Sequence, residues 1–180
     1  MKEIRTFTCR IGEKITLRPA QPEDAASIID AVRSTSEERS YVLMDAYGKD
    51  VDSERKYIEQ FDRCCNLLLV AEGRDGVIGS LAALEAERYE GTKKVMALSV
   101  GLHLRRECRG HGIGSAMLRY ALQWGREHGY KRIEADIFTT NKQSLRLFSK
   151  AGFKEEPGRT RTIQVGMRQI HEVLLVKKLR

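Results

Sequence analysis

The first third of the chain has the pattern of a strand followed by two helices. "KITLRPA" alternates apolar and polar residues with a period of two, as a strand with one buried face does. "QPEDAASIIDAVRS" starts with Pro22 beside acidic residues, which is typical of a helix N-terminus. Its apolar residues share one helical face: Ala25, Ile28, Ile29 and Val32. "VDSERKYIEQF" predicts a second helix, with Asp52 or Ser53 as its cap.

The rest of the chain alternates strands with helices. "NLLLVAEG" and "GVIGSLAALEAER" predict two strands joined by a turn at "GRDG", with "KKVMALSVGLHL" as a third strand. A 3.6-residue period from Ile113 to His128 predicts a helix that Gly129 ends. "KRIEADIF" predicts another strand, "NKQSLRLFSKAG" a short helix closed by Gly152, and "RTIQVGMRQIHEVLLVKKL" a final strand pair. This order predicts one α/β domain, residues 1–180, with helices packed on a mixed sheet.

Composition narrows the class of protein and of ligand. The 180 residues are 41% hydrophobic and 32% charged, and no apolar run reaches the roughly 18 residues that a membrane span needs. The N-terminus lacks the apolar core of a secretory signal, so we expect a cytoplasmic protein without a membrane partner. The net charge of +7 favours an anionic ligand. The basic residues are dispersed among acidic ones, and a phosphorylated small molecule explains this charge as well as nucleic acid does. No nucleic-acid partner is expected.

The four cysteines, Cys9, Cys64, Cys65 and Cys108, form no CxxC pair and have no metal-ligand spacing. They are interpreted as reduced thiols, and no metal site is predicted.

The segment "RGHGIG", Arg109 to Gly114, is the first candidate site. It lies between a predicted strand and a predicted helix, where glycines let successive N–H groups point into one concavity. The unpaired amides and the dipole of the following helix favour a phosphate there, and Arg109 with Arg105 or Arg106 adds positive charge. The spacing is neither that of a P-loop nor that of a dinucleotide fingerprint. A glycine turn without a ligand is the structural alternative.

The stretch from "CRGHGIG" to "LFSKAGFKEE" resembles the core of the GCN5-related N-acetyltransferases (GNAT). The family pattern R/Q-x-x-G-x-G/A is met by Arg109, Gly112 and Gly114. Asn141 matches an Asn that begins the next helix, and "LFSKAGF" matches the closing "LY-x-K-x-GF". The resemblance spans roughly Val95 to Glu156. It implies an acyl-CoA N-acyltransferase fold of the GNAT type, with a mixed, mostly antiparallel central sheet flanked by helices.

The resemblance also implies acetyl-coenzyme A as co-substrate, and no metal. The pyrophosphate would lie on the amides of Arg109 to Gly114, and the pantetheine arm would pair with the strand edge near Leu102 to Leu104. Gly101 would let that strand bulge, and Asn141 would serve as a helix cap, a coenzyme ligand or both. The implied coenzyme-binding residues are Leu102, His103, Leu104, Arg109, Gly110, His111, Gly112, Ile113, Gly114, Ser115, Asn141, Ser144 and Phe148.

The implied reaction is direct attack of a primary amine, on a small molecule or a protein or peptide N-terminus, on the thioester in a ternary complex. A backbone N–H near His103 or Leu104 would stabilise the oxyanion. The general base is open. A Glu that many relatives carry aligns with Ser99, and the other catalytic candidates are His103 and Glu87, followed by Glu85 and Asp136.

The proton donor departs from the family pattern. The usual Tyr is replaced by Phe148, which donates no proton. Water, Ser144, Cys108 or the substrate would then protonate the leaving thiolate. Because the usual proton donor is missing, a second hypothesis is a non-catalytic sensor that binds acyl-CoA. The net charge alone motivates a third hypothesis, a nucleic-acid-binding protein.

The acceptor amine is also open. The positive net charge weakly favours an acidic acceptor. The C-terminal segment is similar to the C-terminal segments of the GNAT branch that includes ribosomal-protein alanine acetyltransferases. A homodimer is compatible with the sequence. The region from about Ser34 to Asp62 carries no motif for the acceptor.

Overall fold

The computed structural model describes residues 4–36, 50–165 and 168–179, and the strands described there form a single sheet. In chain order the strands are β1 (Arg5–Thr8), β2 (Lys14–Pro19), β3 (Leu67–Gly73), β4 (Gly76–Glu90), β5 (Lys93–Leu104), β6 (Arg132–Phe138), β7 (Lys154–Glu155), β8 (Arg161–Val165) and β9 (Arg168–Lys178). The helices are α1 (Ala25–Ser36), α2 (Val51–Glu59), α3 (Ile113–Glu127) and α4 (Lys142–Lys150).

The strands follow the order β1-β2-β3-β4-β5-β6-β9-β7, and β8 pairs with β9. Every pairing is antiparallel except that of β5 with β6, which α3 connects as a crossover. The predicted mixed, mostly antiparallel sheet flanked by helices is confirmed. One apolar cluster packs α3 and Phe148 of α4 against one face, and a smaller cluster packs α1 and α2 against the other.

The local predictions missed two strands and misplaced one helix cap. The pattern missed β1 and the two-residue β7, because short edge strands contain too few residues for an alternation to show. The cap of α2 is Asp50, not Asp52 or Ser53, since the Asp50 side chain accepts a hydrogen bond of 2.7 Å from the Ser53 N–H. The C-terminal ends of α3 and α4 are as expected, with Gly129 and Gly152 at positive φ.

The parallel pairing of β5 and β6 is short, and this creates a gap in the sheet. It joins only Ala97 to Arg132, Leu98 to Ile133 and Ser99 to Glu134. Beyond these residues β5 continues to Leu104 on the β4 side, and β6 continues to Phe138 on the β9 side. The expected bulge at Gly101 is absent, because Gly101 pairs in register with Ala82 of β4. The strand separates from β6 instead.

A cluster of four charged side chains lies where the gap begins. Arg132 and Glu134 of β6 are 4% and 1% exposed and lie 3.2 Å apart. Arg132 also forms an ion pair with Glu156 at 2.8 Å, and Glu134 forms an ion pair with Arg88 of β4. Because Arg88 reaches across β5, this charged cluster (Arg88, Arg132, Glu134 and Glu156) links β4 to β6 at the base of the gap.

Candidate functional site

The gap between β5 and β6 opens into a cavity of about 580 Å³. Its walls are the last residues of β5 (100–104), the last residues of β6 (135–138), the loop before α3 and one side of α4. Volumes in this range suit an organic ligand with several functional groups. The cavity also exposes the unpaired edge of each strand, so an extended ligand carrying amides can hydrogen-bond there.

The loop before α3 has the geometry of an anion site. Gly110 and Gly112 have φ values of +81° and +92°, in the left-handed region that side chains disfavour. Gly112 is the N-cap of α3 and, being glycine, provides no side-chain acceptor for the first-turn amides. The Arg109 Nε donates a hydrogen bond of 3.0 Å to the Leu104 carbonyl, which ties the loop to the end of β5. The free amides and the helix dipole together favour a phosphate.

Eleven of the thirteen expected coenzyme residues line the cavity: Leu102, His103, Leu104, Arg109, Gly110, Gly112, Gly114, Ser115, Asn141, Ser144 and Phe148. His111 and Ile113 do not. The Ile113 side chain is 2% exposed and packs in the core, and the His111 carbonyl accepts a hydrogen bond from the Arg10 N–H. The buried Ile113 can therefore offer a ligand only its backbone amide.

His103 is a partly buried histidine on the β5 wall. Its Nδ1 is buried and has no hydrogen-bond partner among the described residues. Burial, assisted by the positive charge of Arg109, lowers the pKa of His103 below its usual value. The ring is therefore neutral at pH 7 and can accept a proton.

The α4 wall contributes a polar and an aromatic side chain. Asn141 caps the helix, its Oδ1 accepting a 3.0 Å hydrogen bond from the Ser144 N–H, and both residues also face the cavity. Phe148 is 4% exposed and packs edge-on against Phe153 with ring centroids 4.9 Å apart. Asn141 is thus a structural cap in a position where it can also contact a ligand.

Two carboxylates, Asp136 of β6 and Glu172 of β9, line the cavity on the β6 side. Arg161 of β8 bridges them, at 3.0 Å from Asp136 Oδ1 and 2.9 Å from Glu172 Oε2. Burial, with repulsion from Asp136, raises the pKa of Glu172 above its usual value. Sequence reasoning missed Glu172, because only the pairing of β6 with β9 shows that its carboxylate lies near that of Asp136.

Several other predicted catalytic groups lie outside the cavity lining. Glu87 is exposed and forms an ion pair with Lys94, and Ser99 is in the last residue pair before the gap. Glu85 accepts a 2.7 Å hydrogen bond from the Tyr130 hydroxyl. Cys108 packs against the core, where burial raises its thiol pKa. Of the base candidates, the structure brings His103 and Asp136 to the cavity.

Three cationic side chains in the lining were also missed: Arg10, Arg146 and Lys150. Arg146 and Lys150 are four residues apart on α4, a spacing that places them on one helical face and that the sequence could have revealed. Arg10 lies on the turn between β1 and β2. Its place in the site could not be found without β1, which the sequence pattern did not predict.

The described residues contain no group of three His, Cys, Asp or Glu side chains placed to hold a metal ion. Within those same ranges, no helix combines the length and the hydropathy that a membrane span needs.

Comparison with known proteins assigns the family. Residues 14–154 match the model of the acetyltransferase (GNAT) domain. The chain is 31% identical over 143 residues to the Bacillus subtilis protein named "Putative phosphinothricin acetyltransferase YwnH", covering 78% of this chain and 85% of the relative. It is 29% identical over 104 residues to human N-acetyltransferase 8B, of which it spans 44%.

Solved structures show the same fold. A GNAT-family acetyltransferase from Streptococcus pneumoniae aligns with a TM-score of 0.79 at 19% identity, covering 92% of this chain and 99% of that one. The structure of yncA from Salmonella typhimurium, a "putative acetyltransferase" solved with its cofactor acetyl-CoA, aligns with a TM-score of 0.77 at 19% identity over 92% and 94% of the chains. With a family model matched over most of its length, the chain belongs to the GNAT family of acetyl-CoA-dependent acetyltransferases.

Proposed function

We propose that this protein transfers the acetyl group of acetyl-CoA to a primary amine, and that the reaction takes place in the gap between β5 and β6. The observation that carries the proposal is the distribution of charge in the cavity. Arg109 and the amides of the glycine loop lie at one end, and Asp136 and Glu172 lie on the opposite strand wall. This arrangement suits a phosphorylated donor and an amine acceptor in one cavity.

The coenzyme would lie along the β5 wall. Its diphosphate would accept hydrogen bonds from the loop amides at the start of α3, where the helix dipole favours negative charge. The amides of its pantetheine arm would pair with the free edge of Leu102 to Leu104, as an added strand does. Phe148 would pack beside the sulfur, and Asn141 would contact the arm.

The chemistry then needs a neutral amine beside the thioester. The amine nitrogen attacks the carbonyl carbon, a C–N bond forms, and the C–S bond breaks. The backbone N–H of His103 or Leu104 would stabilise the oxyanion. His103 or Asp136 would take the amine proton, and water or Ser144 would protonate the thiolate. Much of the rate would come from holding the two reactants together.

The cavity changes the expectation for the acceptor. The net charge of +7 suggested an acidic acceptor, but the charged side chains on the β6 side of the cavity are two carboxylates, Asp136 of β6 and Glu172 of β9, which Arg161 bridges. A cationic amine can pair with Asp136 and Glu172 in competition with Arg161, and these two carboxylates would disfavour a carboxylate of the acceptor beside them. The acceptor is therefore proposed to be a primary amine that arrives as an ammonium ion. The cytoplasmic location and a homodimer stay predictions from the sequence.

Calorimetric titration with acetyl-CoA tests the donor, with desulfo-CoA and ATP as comparisons. Micromolar binding of acetyl-CoA and weak binding of ATP would support the proposal, and no binding would refute it. A panel of cationic, neutral and acidic primary amines, assayed by thiol release, then tests the acceptor. Asp136→Asn and Glu172→Gln should each raise the KM for a cationic amine and leave the affinity for acetyl-CoA unchanged.

One observation favours the second hypothesis, an acyl-CoA sensor. Phe148 occupies the position of the family's usual proton donor and faces the cavity. A sensor would bind acetyl-CoA but release no thiol with any amine of the panel. Thiol release that depends on the amine would exclude it.

A further inference from the structure

The turn between β1 and β2 packs onto the glycine loop and brings one arginine to the cavity. The Cys9 N–H bonds the Glu13 carbonyl at 2.8 Å, and Gly12 adopts a φ of +83°, so residues 9–13 form a tight turn. The Arg10 N–H donates a 3.1 Å hydrogen bond to the His111 carbonyl. The backbone of the turn is thereby joined to the loop that precedes α3.

The Arg10 side chain extends over the same loop. Its Nη1 lies 3.4 Å from the Gly110 carbonyl, and its Nε is 4.0 Å from the place where a Gly112 Cβ would be. Arg10 is exposed, lines the cavity and forms no ion pair with a carboxylate in the described parts of the chain. A guanidinium has five N–H donors, so one long contact to a carbonyl leaves most of them for a ligand.

The charge of Arg10 matters because the loop itself offers only partial charges. Amides and a helix dipole supply about half an elementary charge at a helix N-terminus. A planar guanidinium adds a full charge and can contact two phosphate oxygens at once. Arg109, which also lines the cavity, already donates its Nε to the Leu104 carbonyl.

We infer that Arg10 is a phosphate ligand for the coenzyme, supplied by the β1–β2 turn from outside the GNAT motif. The inference rests on the proposed function, since it assigns one more contact to the same donor. The ligand chemistry is a phosphate group of coenzyme A, either in the diphosphate or on the ribose 3′ position. The turn between β1 and β2 is then part of the binding site as well as the edge of the sheet.

The test uses Arg10→Gln, which keeps a hydrogen-bond donor and a stem of similar length but removes the charge. Coenzyme A and 3′-dephospho-coenzyme A are titrated into the parent and the variant at several salt concentrations. Arg126→Gln is the matched control, because it removes one charge from an exposed position near the other end of α3. We expect Arg10→Gln to weaken coenzyme A binding by about tenfold, the usual effect of losing a hydrogen bond to a charged group.

The salt dependence separates a charge contact from a structural effect. Loss of a phosphate contact makes the affinity of Arg10→Gln less sensitive to salt than that of the parent, whereas a loosened loop leaves that sensitivity unchanged. If Arg10→Gln loses affinity for both coenzyme A and 3′-dephospho-coenzyme A, Arg10 contacts the diphosphate. If it loses affinity only for coenzyme A, Arg10 contacts the 3′-phosphate. Parental affinity and salt dependence in Arg10→Gln would overturn the inference. Failure of the parent to bind coenzyme A would instead remove the proposed function.

Discussion

Ser99 of β5 and Glu134 of β6 form the last residue pair between the two central strands of the sheet. On one side of this pair the strands are hydrogen-bonded, and on the other side they diverge around the cavity. The buried carboxylate of Glu134 holds Arg88 and Arg132 at this point. The position where the sheet stops being continuous is thus also the position of the most buried ion pair among the described residues, Arg132 with Glu134.

Glu134→Gln should destabilise the fold. The substitution leaves Arg132, 4% exposed, with one carboxylate fewer, and breaking a buried ion pair typically costs about 3 kcal/mol or more. Urea unfolding of the parent and the variant measures the loss. Glu155→Gln, an exposed position on β7, is the control and should be within about 0.5 kcal/mol of the parent. A Glu134 variant as stable as that control would show that the charged cluster contributes little.

Gly112→Ala should weaken coenzyme binding. Both Gly112 and Gly129 have left-handed φ values, +92° and +79°, so an alanine at either position costs about 1 kcal/mol of stability. Gly129 lies beyond the other end of α3, outside the cavity lining. Titration with acetyl-CoA should therefore show a lower affinity for Gly112→Ala than for the parent and an unchanged affinity for Gly129→Ala. Equal binding by both variants would contradict the phosphate site at the loop.

Phe148→Tyr should raise kcat if protonation of the thiolate limits the reaction. The ring is buried and lines the cavity in which the sulfur is proposed to lie, so the added hydroxyl would introduce a proton donor there. Phe153→Tyr adds a hydroxyl to the neighbouring ring, which lies outside the cavity lining, and is the control for the effect on packing. Stopped-flow measurement of thiol release gives kcat for the parent and for both variants. An unchanged kcat in Phe148→Tyr would mean that water or Ser144 already donates the proton fast enough.

His103 should make the fold less stable in mild acid. Its folded-state pKa is lowered, so above the ordinary value of about 6.5 the ring is neutral in both the folded and unfolded states. As the pH falls below that value, the unfolded chain binds a proton that the folded protein excludes, and stability decreases until the pH has passed the folded-state pKa. Thermal unfolding from pH 8 to pH 5 should show this decrease in the parent. The decrease should be smaller in His103→Asn, and an identical pH dependence in the two proteins would argue against the lowered pKa.

The residues at the proposed coenzyme end were largely predictable from sequence, and those at the proposed acceptor end were not. Arg109, Gly112 and Asn141 lie in local patterns, where a few consecutive residues determine a turn and a helix start. The approach of Asp136 to Glu172 depends on which strands pair and in what register, and neither can be read from a short segment. Glu87 could not be placed for the same reason, because its register with Met96 of β5 puts it on the hydrogen-bonded side of the Ser99–Glu134 pair and not beside the gap.

The contact between the β1–β2 turn and the glycine loop also affects how the site is made. Arg10 and Gly110 are separated by 100 positions in the chain, so their contact requires closure of a long loop during folding. A peptide or grafted segment carrying only the glycine loop and α3 would contain the motif without this partner. The proposed phosphate site, with Arg10 included, therefore needs the folded domain, and trimming the first strand should impair it although every motif residue is kept.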